Sequence, residues 1–358
     1  MNTDTKPYEP AVVKEVLCKY FNTPSHRSHL AVQERRFFGL GGPQFRYYHF
    51  TLTDGKQTHR AFGKTTIYHD REYRALQYLT ETIPERQRST SRAIASLKHQ
   101  DYSILLLECL EGYSSPLSIL SSFRLFPNRA VNIIRLGKEI VDKIYDLQKH
   151  SPVMYTPLSS EDTDATPAQP APISIFEQLR RIRSLPIETK NALHARISAI
   201  VSNQTLVRRG LVHGQLGMRN IMVRRSNILF IDWEYMQSAG FCLFDPCYMA
   251  TMLLMRSVQL FIPRSKLDII NDCLFQHIRA REDGLTENPN RKFIDDGLWF
   301  AKCISMVDTL YEHEKSENSW LKAVLRQEHR KIKYLACRIE RDAANGGNSD
   351  GSPLRCSE

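Results

Sequence analysis

Near the middle of the chain three residue types stand at offsets that could do chemistry. His213 and Asn220 lie in the run Leu211-Val-His-Gly-Gln-Leu-Gly-Met-Arg-Asn-Ile-Met-Val223, and Asp232 lies in Leu229-Phe-Ile-Asp-Trp-Glu234. Asp232 follows the apolar stretch Ile228 to Ile231, so a strand there would deliver its carboxylate at a sheet edge. A carboxylate in that place, with an asparagine amide oxygen upstream, offers the hard oxygen donors that Mg²⁺ accepts when it also holds phosphate oxygens. Either residue alone reads equally well as the end of a strand or a turn. The two together, at this separation, carry the chemical reading.

The elements needed to position such residues are legible around them. Phe45 to Leu52 is a β-rich run reaching a turn at Asp54-Gly55, and Arg60 to Ile67 reads as its returning partner. Asp70 to Leu79 has helical spacing, with Tyr73, Leu76 and Leu79 on one side. Tyr102 to Leu110 is an apolar run of strand length. Asn128 to Lys149 is helical in pattern, and helical periodicity returns from Ile173 to about Val207. Beyond the hairpin the chain reads as helix-dominated to about Ala344. The order is a strand-rich small part followed by a helix-rich large part. The organisation expected is an N-terminal extension with a helix at 1–30, a strand-rich part at 31–112, a helical part at 113–340 and a disordered tail at 341–358. Within the helical part, 151–172 is dense in Pro, Ser, Thr and Asp and reads as a mobile loop.

Bulk numbers bound the class. The 358 residues are 42% hydrophobic and 25% charged, enough to bury a full core in one two-part unit or two domains. No apolar run reaches the ~18–20 residues a membrane helix needs. The start, Met1-Asn-Thr-Asp-Thr-Lys-Pro, lacks an export signal, so the expectation is a cytoplasmic protein. The eight cysteines are scattered without a C-x-x-C pair and are expected as reduced, mostly buried thiols, not as a zinc site or a disulfide framework. The formal net charge is +10, with much of the excess in Lys315 to Arg341. Apolar residues interleave there at helical spacing, so a terminal amphipathic helix with a solvated basic face explains the run; contact with nucleic acid or an anionic surface is the alternative.

The motifs resemble the aminoglycoside phosphotransferase and choline kinase-like family, a branch of the protein-kinase-like fold, over about residues 36 to 255. The family loop, roughly H-G-D-L-x-x-x-N-I-L-V, stands here as His213 to Val223, and its I-D-W-E hairpin end as Ile231 to Glu234. The resemblance implies an α+β, two-lobed protein-kinase-like fold with a strand-rich N-lobe and a helix-rich C-lobe. It implies ATP and Mg²⁺ as cofactors, with Asn220 and Asp232 as metal ligands, Lys64 as the phosphate-contacting lysine and Glu72 as the glutamate that orients it. It implies that Gly41 and Gly42 lie in a loop over the phosphates, and that Glu108 and Leu110 lie in the segment whose backbone meets adenine. His213 and Asp245 would brace the loop. The partner implied is a small hydroxylated metabolite, phosphorylated on an alcohol group.

One departure limits this reading. Where the family carries the aspartate that handles the acceptor proton, this chain has Gln215. An amide can orient a hydroxyl but cannot take its proton, and general-base help contributes about 10²–10⁴-fold. Phosphoryl transfer rests mostly on positioning and charge neutralisation. The chain is therefore expected to be a slow or unconventional phosphotransferase, or a pseudokinase that binds nucleotide or ligand without turnover and serves as a module for a protein partner. Glu234 is the nearest carboxylate in sequence that could stand in. No G-x-S-x-G elbow, H-E-x-x-H pair or dinucleotide fingerprint is present.

Overall fold

The computed structural model describes residues 8–35, 46–66, 70–87, 89–99, 102–122, 128–159, 174–285, 291–316 and 322–344. The chain divides into two compact units: Met1–Tyr113 with Leu229–Glu234, and Ser114–Ile228 with Tyr235–Glu358.

The first unit is a five-stranded antiparallel sheet with two helices. Helix α1 (Pro10–Tyr20) precedes strands β1 (His29–Arg35), β2 (Tyr47–Thr53) and β3 (Thr58–Thr66); helix α2 (Arg71–Thr82) precedes β4 (Ala93–His99) and β5 (Tyr102–Glu108). The strand order is β1-β2-β3-β5-β4. The β2–β3 hairpin turns at Asp54-Gly55, as the sequence suggests. The Asp54 carboxylate accepts from the backbone N–H groups of Lys56 (3.0 Å) and Gln57 (2.7 Å), and Gly55 takes φ +87°, which glycine adopts without a Cβ penalty. Burial alternates along β2, so Tyr48, Phe50 and Leu52 enter one core with Ala61, Ile104 and Leu106. Val13, Leu17 and Cys18 close that core from α1, with Tyr8 edge-on to Tyr48 and Phe50. The N-terminal helix is thus a structural part of the sheet unit.

The second unit holds helices α3 (Pro116–Ser122), α4 (Arg129–Gln148), α5 (Ile175–Arg181), α6 (Ile187–Ser202), α7 (Phe244–Gln259), α8 (Arg264–Asp283), α9 (Arg291–Ser316) and α10 (Lys322–Ala344). It also holds β6 (Met154–Pro157), β7 (Leu206–Val212) and β10 (Gln237–Phe241), which pair as β10-β7-β6. A separate hairpin, β8 (Ile221–Arg224) and β9 (Asn227–Phe230), turns at Arg225, φ +54°. α4 supplies an apolar stripe of Ile133, Leu136, Ile140, Ile144 and Leu147, and packs against α7 and α8. Inside this unit Arg208 of β7 is buried in a bidentate pair with Glu282 (2.9 and 3.0 Å) and also donates to Gln148 Oε1 at 2.8 Å. That satisfies a guanidinium whose burial would otherwise be costly.

The architecture is the α+β arrangement expected, strand-rich and then helix-rich. Three details differ. The segment 151–172, read as loop, contributes β6 before it leaves the described residues. The helical reading that ran to about Val207 stops at Ser202, and Leu206 already starts β7. Among the described residues six cysteines are free thiols as expected, but Cys273 is disulfide-bonded, against the expectation of reduced thiols throughout. In the basic C-terminal run, Arg338 pairs with Asp272 (3.0 Å) and Arg341 with Asp268 (3.2 Å). These two cations are neutralised by α8 acids. Among the described residues no helix is long and apolar enough to cross a membrane.

Candidate functional site

In the first unit the sequence-expected residues converge on one ammonium. Lys64 lies on the central strand β3, opposite Tyr47 of β2 and Leu105 of β5, with its side chain buried. Its Nζ meets Glu72 Oε2 at 3.1 Å, pairs closely with Asp232 Oδ1, and lies 3.7 Å from Glu234 Oε2. Glu72 stands in the first turn of α2, where a carboxylate complements the exposed helix N–H groups, and is buried at 4% exposure. Three carboxylates around one ammonium carry a surplus of two negative charges when all are ionised.

The acidic segment is held by Trp233, which is fully buried. Its indole Nε1–H donates to Phe230 O at 2.9 Å and its backbone N–H to Glu72 Oε1 at 3.4 Å. Phe230 in turn donates its backbone N–H to Ser89 O at 2.7 Å. Asp232, between these anchors, takes φ +68°, a left-handed conformation that is uncommon outside glycine and asparagine. Backbone strain of this kind persists where the surroundings over-determine it and gathers at functional sites.

Electrostatics follow from burial and charge. Burial pulls the Lys64 ammonium down, but Glu72, Asp232 and Glu234 outweigh it and hold its pKa well above the usual lysine range. Burial pushes the Glu72 carboxyl up, against the pull of Lys64. Burial likewise raises Tyr47, which faces the same charges.

In the second unit β7 runs into the His213 loop. Gly214 has φ +84°, and a Cβ there would lie 2.4 Å from Tyr235 O, so only glycine fits. Asp245, one residue into α7, is buried and accepts from the backbone N–H of His213 (2.5 Å) and of Gly214 (3.1 Å). Burial pushes its carboxyl up to about 7, against these two bonds. Leu216 and Met218 anchor the loop in the core. Asn220 Nδ2 donates to Gln215 O at 2.8 Å, which fixes the amide and leaves its oxygen without a hydrogen bond among the described residues. The Gln215 side chain makes no hydrogen bond among those residues either; its backbone N–H donates to His213 Nδ1 at 3.4 Å.

The structure therefore gathers Lys64, Glu72 and Asp232 into one cluster, and holds the loop of His213, Gln215 and Asn220 against Asp245 of α7. Glu108 ends β5, with Leu110 just beyond, where Leu110 O accepts from Tyr113 N–H at 3.5 Å. Gly41 and Gly42 lie outside the described residues. Two residues of the cluster had no assigned part in it. Trp233 locks the acidic segment through partners far off in sequence, which no local pattern announces. Glu234 was weighed as a substitute base, and its carboxylate turns toward Lys64.

Among the described residues no group of three His, Cys, Asp or Glu side chains is arranged to hold a metal alone. Mg²⁺ ordinarily takes one or two carboxylates and completes its shell with water and substrate phosphates. The Asp232 carboxylate in the first unit and the Asn220 amide oxygen in the second are each hard oxygen donors.

No protein-family model matches the sequence, and no curated protein matches it. Among solved structures the chain is similar to a thermostable mutant of aminoglycoside phosphotransferase APH(4)-Ia in its apo form, with TM-score 0.49 and 11% identity over 94% of this chain and 100% of that one. It is similar to a putative fructosamine-3-kinase from Haemophilus somnus 129PT, with TM-score 0.45 and 14% identity over 91% of this chain and 96% of that one. It is also similar to choline kinase LicA from Streptococcus pneumoniae, with TM-score 0.39 and 14% identity over 85% of this chain and 94% of that one.

Proposed function

We propose that the chain is an ATP-dependent phosphotransferase-like protein that acts on a hydroxyl group of a small metabolite. The observation that carries this is the buried cluster in which one lysine on a central strand is shared by Glu72, Asp232 and Glu234. A surplus of negative charge beside a fixed ammonium suits Mg²⁺ and phosphate arriving together. Lys64 would give up Asp232 for phosphate oxygens, Asp232 would take the metal, and Glu72 would keep the ammonium aimed. Asn220 would be the second protein ligand. Bound Mg²⁺ would supply charge neutralisation for the transferring phosphoryl group. The backbone of the Glu108–Leu110 segment would receive the base.

Gln215 sets the rate. Its amide would orient the acceptor hydroxyl, and the proton would leave without a carboxylate at that position. Replacing it with aspartate tests the reading, with ATP hydrolysis as the assay because water then serves as acceptor. Gln215→Asp is expected to raise the rate about 10²-fold or more. No hydrolysis by either form, with nucleotide bound by both, would favour the second reading: a pseudokinase that binds nucleotide or a protein partner without turnover. The specific feature behind that reading is Gln215 itself, a side chain without basicity and without a hydrogen-bonded partner among the described residues. The basic run at the C-terminus supports a nucleic-acid or anionic-surface role less, because Arg338 and Arg341 are paired with Asp272 and Asp268.

A further inference from the structure

Tyr47 of β2 stands directly across from Lys64 of β3 in the antiparallel register. Residues paired in this way point to the same face of the sheet, with Cβ atoms about 4.5–5.5 Å apart. The other face is the apolar core, which takes the alternating residues Tyr48 and Phe50. Tyrosine and lysine side chains have similar reach, so the phenol oxygen and the ammonium come to the same level above the strands. The electrostatics agree with that placement. Burial raises the phenol pKa, Lys64 draws it down, and Asp232, Glu234 and Glu72 add to the rise, so the group keeps its proton and remains a donor. The ring is held in place. It stacks on Phe62 at 5.8 Å and 25°, and His49 meets Phe62 edge-on at 5.5 Å. His49 and Phe62 also pair across the two strands, so the three rings stand together on the Lys64 face. Tyr47 is only half-buried, within reach of a ligand that arrives at Lys64.

We infer that Tyr47 is a further phosphate-binding residue, its hydroxyl donating to the phosphate group that Lys64 receives. This rests on the nucleotide reading above. Lys64 is shared by three carboxylates, and an ammonium is a point charge on a flexible stem that fixes little direction by itself. A phenol on a ring held by stacking has its oxygen in a set position and offers one O–H donor. A terminal phosphate group has three acceptor oxygens, so one can meet the ammonium while another meets the hydroxyl. A neutral donor grips the oxyanion without adding a charge for the carboxylates to compete over. Phe62 and His49, which touch the ring and not the phosphate, serve as positioning residues for Tyr47.

The experiment is equilibrium binding of Mg·ATP and Mg·tripolyphosphate to the full chain and to Tyr47→Phe, each across a salt series, with melting curves of the ligand-free proteins. Tyr47→Phe keeps the ring and its stacking and removes the hydroxyl alone. It is expected to lose affinity about tenfold or more for both ligands, the range of a hydrogen bond to a charged group. Because the hydroxyl is uncharged, the salt dependence of binding is expected to stay as in wild type, and the melting temperature with it. Unchanged affinity in Tyr47→Phe overturns the inference and leaves the nucleotide site standing. A loss accompanied by a lower melting temperature or a flatter salt dependence also overturns it, because the substitution would then act through the fold or through Lys64. Failure of wild type to bind either ligand overturns the nucleotide reading together with the inference.

Discussion

Lys64 is the residue on which the site turns. Its ammonium is the cation that the buried Glu72 carboxylate has for a partner at 3.1 Å, so removing it strands a buried charge. Breaking a buried pair from one side costs about 3–5 kcal/mol. Lys64→Met is therefore expected to lose about 3 kcal/mol of stability at pH 7.5. The sign with pH follows from Glu72. Its folded pKa is already raised by burial, and loss of Lys64 raises it further, so this carboxyl favours the fold only when protonated and costs stability as pH rises. The deficit should shrink between pH 7.5 and pH 5 in denaturant titrations; a deficit independent of pH would mean that Lys64 matters through packing. Asp245 gives a second test of the same kind. Its folded pKa of about 7 lies above the ordinary aspartate value of 3.8, so ionising it costs increasing stability from about pH 4 to 7 and nothing further above. Asp245→Asn cannot ionise, and should gain on wild type across that window in urea unfolding; falling behind as pH rises would show an ionised brace instead. At this scale the sequence was informative where residue type is chemistry. Asp232 and Asn220 stand out by type and spacing, and Lys64 and Glu72 only through the family resemblance; the structure adds that Lys64, Glu72 and Asp232 meet. Trp233 carries no local signal, because its partner Glu72 lies 161 residues away.

At the scale of elements, the His213 loop depends on its backbone. Gly214 at φ +84° leaves no room for a Cβ against Tyr235 O, and its N–H is one of the two that Asp245 holds. Gly214→Ala must pay for the left-handed conformation, about 1–2 kcal/mol, and displace the loop as well. The expected result is a loss of about 2 kcal/mol or more in denaturant unfolding, together with weakened Mg²⁺-dependent nucleotide binding if Asn220 is a ligand. An unchanged melting curve would contradict the geometry. The hairpin β2–β3, helix α2 and strand β5 were visible because alternation, helical spacing and an Asp-Gly turn each have a local signature. The sheet β10-β7-β6 was not. β6 has only Met154–Pro157, mostly exposed and lying in a Pro-rich neighbourhood. β7 carries Arg208 and Arg209, which read as surface until the partners of Arg208, Glu282 and Gln148, are known.

At the scale of the molecule, charge and site pull in different directions. The chain has a formal net charge of +10, yet its candidate phosphate cluster is locally acidic, and cations of the C-terminal helix are paired with acids of α8. Net charge therefore says little about what the site takes; the local arrangement of Lys64 and its three carboxylates says more. Two compact units, one strand-rich and one helix-rich, supply the cluster and the loop respectively. The account stands on whether that cluster receives nucleotide with metal. The direct measurement is thermal unfolding of the protein with and without ATP, each with and without Mg²⁺, beside Asp232→Ala. Ligand at ~100 times its dissociation constant stabilises by about 2.7 kcal/mol. The account predicts a rise in Tm with ATP that requires Mg²⁺ and is lost in Asp232→Ala. No shift with nucleotide in wild type, or an equal shift in Asp232→Ala, would contradict it.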